Sequence, residues 1–206
     1  MGLFSIFKSK KGRSPEENFW HWFQANSETI FNLEENTDFT LDKLSAELAK
    51  VSPELTFEIS PKQDDCTREF VISADGIKGV FPIVEKLHSS APDMKSWKIT
   101  KFRPRRSPIN DITLSGVSIK SDDVYYNLYE DGEKLGIVIF MDDYCEQESN
   151  TYEHIGYLIL DEAIGEYDVE TKLGFIEFRS KEGESFSTAR PIKELSSHVD
   201  EYFENC

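Results

Sequence analysis

Residues 152–178 read YEHIGYLILDEAIGEYDVETKLGFIEF. Apolar residues fill 152–164 at helical spacing, Gly165 is a stop, 166–172 is an acidic link, and LGFIEF is an apolar run of strand type. A buried helix that feeds a buried strand completes a ββαβ unit if a hairpin precedes it, and one does. Residues 124–130 read as a strand, Asp131-Gly132 is a hairpin turn pair, and LGIVIFM at 135–141 is apolar on both faces, as in a central strand covered from both sides.

The same order occurs upstream. Leu55, Phe57 and Ile59 alternate with polar residues, PKQDDCT is a turn, and 68–73 is the returning strand, closed by Ala74-Asp75-Gly76. Residues 79–90 form a helix with Val80, Val84 and Leu87 on one face, and 94–103 form a strand. Two helices come first. Ser14-Pro15-Glu16-Glu17 starts one over 14–34, with Phe19, Trp20, Phe23, Ile30 and Phe31 on one face and Trp22 at its edge. Leu41, Leu44, Leu48 and Val51 mark a second, with Thr40 as its cap and Pro53 after its end. RPRRSP at 103–108 is the boundary; 111–120 reads as one strand with a bulge at Gly116, and 191–203 as a closing helix.

The expected fold is therefore α+β: a largely antiparallel sheet system in two ββαβ-like lobes, 15–106 and 107–206, forming one compact unit with helices mainly on one side. The strands at 135–141 and 173–178 are expected at its centre. Residues 1–14 form a tail, flexible or docked; its apolar and basic stretch 3–13 has the composition of a weak membrane-surface anchor.

Composition narrows the function. A length of 206 residues buries a real core, and 13% aromatic content opposes disorder. A net charge of −16 repels phosphate backbones, so no nucleic-acid partner is expected, while a basic protein would be attracted. Three scattered cysteines make no disulfide framework and fit a cytoplasmic location. Cys66 and Cys145 each stand beside acidic residues, a setting in which no nucleophilic cysteine is expected. The four histidines, His21, His88, His154 and His198, have no metal spacing, and no P-loop, G-x-S-x-G or dinucleotide fingerprint occurs. No catalytic residue, metal or cofactor is expected.

Two stretches merit placement as a ligand or partner surface. Glu162, three residues after Ile159, sits near the apolar helix face, where a carboxylate needs a partner; Glu166 lies just beyond the stop. Two such carboxylates could bind Mg2+ or Ca2+ or share a proton as an acid/base pair, though the spacing matches no defined metal site; otherwise Glu162 pairs with a Lys or Arg. KITKFRPRR at 98–106 concentrates Arg103, Arg105 and Arg106 beside Trp97, either to hold an anion or acidic partner strip or to neutralise the chain's own acids, near Asp161 and Glu162, and so tie the lobes together. Trp22 is the aromatic to watch on the first helix.

VISADGIKGVFPIVEKLHSSAPDMKSWKITKFRPRR, LILDEAIGEYDVETKLGFIEF and RPIKEL resemble an uncharacterised family of bacterial proteins of about this length. The resemblance implies a bacterial cytoplasmic origin and one conjoined architecture, and it supplies no activity and no site residues. Two functions follow from the residues themselves: a non-catalytic acidic protein-binding or regulatory protein, immunity-type among others, or a small-molecule enzyme or binding domain using the arginines for an anion and Glu162 as acid or base.

Overall fold

A computed structural model describes residues 12–142, 144, 149–182 and 184–205. The fold is α+β, with three mostly antiparallel sheets of three, two and four strands. Most of the apolar and basic stretch at 3–13, together with Cys145 and Cys206, lies outside the described residues.

Helix α1 (Pro15–Phe31) starts on the expected capping box: the Ser14 hydroxyl accepts from the Glu17 N–H, and the Glu17 carboxylate accepts from the Ser14 N–H. Helix α2 (Thr37–Leu48) follows Asn36, not Thr40; Thr40 lies inside the helix and is buried. Strands β1 (Thr56–Ile59) and β2 (Arg68–Ser73) pair antiparallel, helix α3 (Phe81–Ser89) crosses over, and β3 (Trp97–Lys101) returns parallel to β2. The aromatic face of α1 packs with Phe70, Ile72, Val84, Leu87 and Trp97 in one core. On the opposite face of the sheet, the alternate residues Glu58, Glu69 and Val71 line a surface cleft that also reaches Arg106 of the linker.

After the linker, 111–120 is two strands rather than one bulged strand. β4 (Ile112–Leu114) and β5 (Val117–Ile119) form a hairpin around Ser115 and Gly116, both at positive φ, as a type I′ turn requires. The change of phase at Gly116 came from this reversal. Then β6 (Tyr125–Asp131), β7 (Lys134–Met141), helix α4 (Ser149–Ile164), helix α5 (Glu166–Lys172) and β8 (Leu173–Ser180) repeat the order hairpin, helix, parallel strand. β9 (Arg190–Pro191) and helix α6 (Leu195–Glu204) close the chain.

Two expectations change here. The acidic link 166–172 is a helix, α5, and the Lys134 ammonium donates to the carbonyl of Glu170 in its last turn and to that of Leu173 just beyond it. The sheet order is β8-β7-β6-β9, so β7 is interior and buried from Leu135 to Met141 while β8 is an edge with alternating exposure. β8 reads as buried because one of its faces packs under α4, and periodicity cannot tell that from burial on both sides. The core of this lobe is Ile137, Ile139 and Met141 against Ile155, Ile159, Leu160 and Val199.

Candidate functional site

The linker carrying the three arginines runs along the C-terminal end of α4, where helix geometry leaves carbonyls without partners and the dipole favours cations. The Arg106 N–H donates to the Glu162 carbonyl (2.7 Å) and the Arg105 Nε–H to the Ile164 carbonyl (2.8 Å). Phe102 enters this turn in the left-handed region (φ 61°), strain that a bulky residue adopts only when held. Phe81 of α3 and Tyr167 of α5 hold it, with ring centroids 4.6 and 5.4 Å away.

Each arginine then meets acids of this same chain. Arg103, 12% exposed, donates to Glu58 (2.6 Å), Asp75 (2.9 Å) and Asp161 (3.2 Å), joining the first sheet to α4. Arg105 forks onto Asp200 with both Nη groups (2.6 and 2.9 Å) and also reaches Asp168 (2.7 Å) and Ser196 (2.9 Å). Arg106 bonds Glu69 (2.9 Å), which also accepts from Lys98 (2.8 Å) and Thr100 (2.5 Å). Burial works to raise the Glu69 carboxyl, but these donors outweigh it and hold it at about 2.

The two carboxylates singled out from the sequence have separate tasks. Glu162 is half-buried and accepts from the backbone N–H (2.6 Å) and side-chain amide (2.9 Å) of Asn110. Glu166 is fully buried: one oxygen accepts from the Ala74 N–H (2.9 Å) and Gly76 N–H (3.4 Å), the other from the Arg103 N–H (2.9 Å). It thus fastens the first lobe's turn and the linker to the start of α5. Neither forms an ion pair with Lys or Arg among the described residues; the acid that pairs with Arg103 from α4 is Asp161.

Asp161 is the residue that sequence reasoning underweighted. It is buried beside a cleft of about 420 Å3 lined also by Asp75, Arg103, Glu153, His154, Tyr157 and Glu170. Burial raises its carboxyl to about 7; Arg103 pulls the other way, but that guanidinium is shared among three acids, and Glu166 and Glu58 add repulsion. Burial also raises Glu170 and the Tyr157 hydroxyl. Its only sequence signal was its place beside Glu162, and its pairing depends on a linker more than fifty residues upstream.

The tryptophans lie elsewhere. Trp97 is buried, its ring edge-on to Phe23 and Phe31 and its N–H donating to Ser27 (2.8 Å). Trp22 is half-buried, 6.5 Å from Phe19. Both belong to the first lobe's core and its rim, apart from the arginine linker. The exposed aromatic of this lobe is Phe39 on α2, 52% accessible, with the Lys43 ammonium 4.3 Å from its ring centre and exposed Glu34, Glu35, Asp38 and Asp42 around it in sequence.

Among the described residues no three His, Cys, Asp or Glu side chains gather as metal ligands, and no helix is long and apolar enough to cross a membrane. No family model, no curated protein and no solved structure matches this chain.

Proposed function

We propose that this chain is a non-catalytic acidic binding protein of the cytoplasm, regulatory or immunity-type in character, whose partner is a basic protein. The observation that carries this reading is the state of the arginines. The arginines of the 98–106 run are consumed by the chain's own carboxylates, as Arg103 meets Glu58, Asp75 and Asp161, Arg105 meets Asp168 and Asp200, and Arg106 meets Glu69. The chain keeps a net charge of −16, and such a field attracts basic surfaces and repels nucleic acid. Helix α2 gives the attraction an anchor: an exposed phenylalanine between Asp38 and Asp42, the pairing of an apolar knob with surrounding charge that recognition sites favour.

Capture from cell extract at rising salt tests this. The expected result is a basic protein retained at low salt, released as salt rises, and lost from a Phe39→Ala/Asp38→Lys/Asp42→Lys variant. An empty column, or a captured protein indifferent both to salt and to that variant, removes the reading.

A small-molecule function has one observation in its favour, the cleft beside Asp161. A carboxyl titrating near neutrality suits acid/base work. With Arg103 committed to three acids and Glu162 to Asn110, the side chains left facing the cleft favour a cationic ligand over an anion. Thermal melting against panels of amines and of metabolite anions separates the two, since a bound ligand raises Tm by mass action.

A further inference from the structure

Strand β8 forms one edge of the four-stranded sheet, and β7 is its sole strand neighbour among the described residues. Such an edge carries unpaired N–H and C=O groups and invites another strand. Large exposed aromatics gather beside it on both faces. On the outer face Phe175 lies over Gly136, where a Cβ would collide with its ring, and packs against Tyr129 of β6 (6.1 Å). On the helix face Tyr157 of α4 stands edge-on to Phe178 (5.3 Å). Phe175, Tyr129 and Tyr157 are 38%, 42% and 40% exposed, half of the large apolar side chains this exposed among the described residues. Isolated exposed apolar residues are ordinary, but Phe175 on the edge strand, with Tyr129 reaching it from β6 and Tyr157 packed on Phe178, forms a cluster next to an unpaired edge, which marks an interaction surface.

The charges on β8 specify its partner. A register shift sets Phe175 off from the regular run 176–180, within which Glu177 and Arg179 share the outer face and pair with each other. Cross-strand neighbours must lie on the same face, so a two-fold axis relating antiparallel copies of β8 has to pass through a residue. An axis at Glu177 sets Glu177 against itself, and one at Arg179 sets Arg179 against itself. An axis at Phe178 sets Glu177 of each copy against Arg179 of the other, Ile176 against Ser180, and the two Phe178 rings together beneath the Tyr157 rings. Edge strands that avoid pairing carry like charges; this edge is complementary to itself.

We propose that β8 is the interface of a homodimer, in which a second copy adds its own β8 antiparallel about a two-fold axis at Phe178, joining two four-stranded sheets into one. The paired run is short, well below the roughly 800 Å2 per partner of a standard interface, and two copies at −16 repel, so association is weak, with a dissociation constant on the order of 100 µM. The dimer is independent of the basic-partner reading, because the exposed acids around Phe39 lie on α2 in the other lobe.

Sedimentation of the full chain from about 10 µM to about 1 mM, in about 0.15 M salt, reads it directly. Native protein should shift from monomer to dimer across that range. Glu177→Arg and Arg179→Glu should each weaken association at least about tenfold by placing like charges opposite one another. The double exchange Glu177→Arg/Arg179→Glu should restore it, and an equimolar mixture of the two single variants should associate at least as tightly as native protein. The proposal falls if native protein stays monomeric throughout, if the single exchanges leave the dimer unchanged, or if the double exchange fails to recover it. The mixture separates a broken interface from a misfolded subunit, because the double exchange also restores the Glu177–Arg179 pair within each chain whereas the mixture restores only the pairs between chains.

Discussion

At the residue scale the seam turns on Asp161 and Arg103. Both are largely buried, and each has what an isolated buried charge lacks: an opposite charge and directed hydrogen bonds. The balance still leaves Asp161 raised to about 7, because burial and the neighbouring Glu166 and Glu58 outweigh its share of one guanidinium. A carboxyl whose folded value lies above its ordinary 3.8 favours folding below that ordinary value, and this contribution disappears as pH rises through about 7. Asp161→Asn stays neutral at every pH. Its urea stability relative to native protein should therefore improve between about pH 5 and about pH 8, with a limiting slope of about 1.4 kcal/mol per pH unit. A stability difference that stays flat with pH would show that Asp161 is ionised throughout.

At the element scale α4 is the organising piece, with one face on β7 and β8 and its C-terminal carbonyls capped by the linker. Gly165 lets the chain leave α4 and start α5 at once: its φ of +88° and ψ of 139° suit glycine alone. A Cβ there would meet only ordinary contacts, 3.6 Å from the Arg103 carbonyl, so the cost of Gly165→Ala is conformational. The expected loss is about 1–3 kcal/mol in chemical denaturation, without change in the folded spectrum. Helix α4 and the Gly165 stop were readable in the sequence, as were the capping box of α1 and the reversal after β6, although its two loop residues are Gly132 and Glu133, Asp131 still pairing with Lys134. The hairpin at Ser115-Gly116 was not, because a reversal and a bulge both shift an alternating pattern by one residue. Nor was the helicity of 166–172, whose seven residues hold two apolar side chains, only one of them buried, and give no periodic face.

At the scale of the whole molecule two ββαβ units are fastened by charge. Glu166, Arg103 and Arg105 each bind groups more than forty residues away, across the linker. These contacts are partly shielded from salt, whereas the repulsion of a −16 surface is not. Raising salt from about 0.01 M to about 0.15 M shortens the screening length from about 30 Å to about 8 Å, so Tm should rise. A fall would mean that the internal pairs depend on bulk screening more than the surface does. The sequence by itself determined the α+β class, the two hairpin-helix-strand units and the arginine linker between them. Those follow from local periodicity, caps and turn residues, which act over a few positions. The tertiary structure alone decided that β8 is an edge, that Trp97 belongs to a core, and that Asp161 rather than Glu162 meets Arg103. Strand order, lobe contact and the partner of a buried charge depend on residues far apart in the chain, where one stretch holds no record of what packs against it.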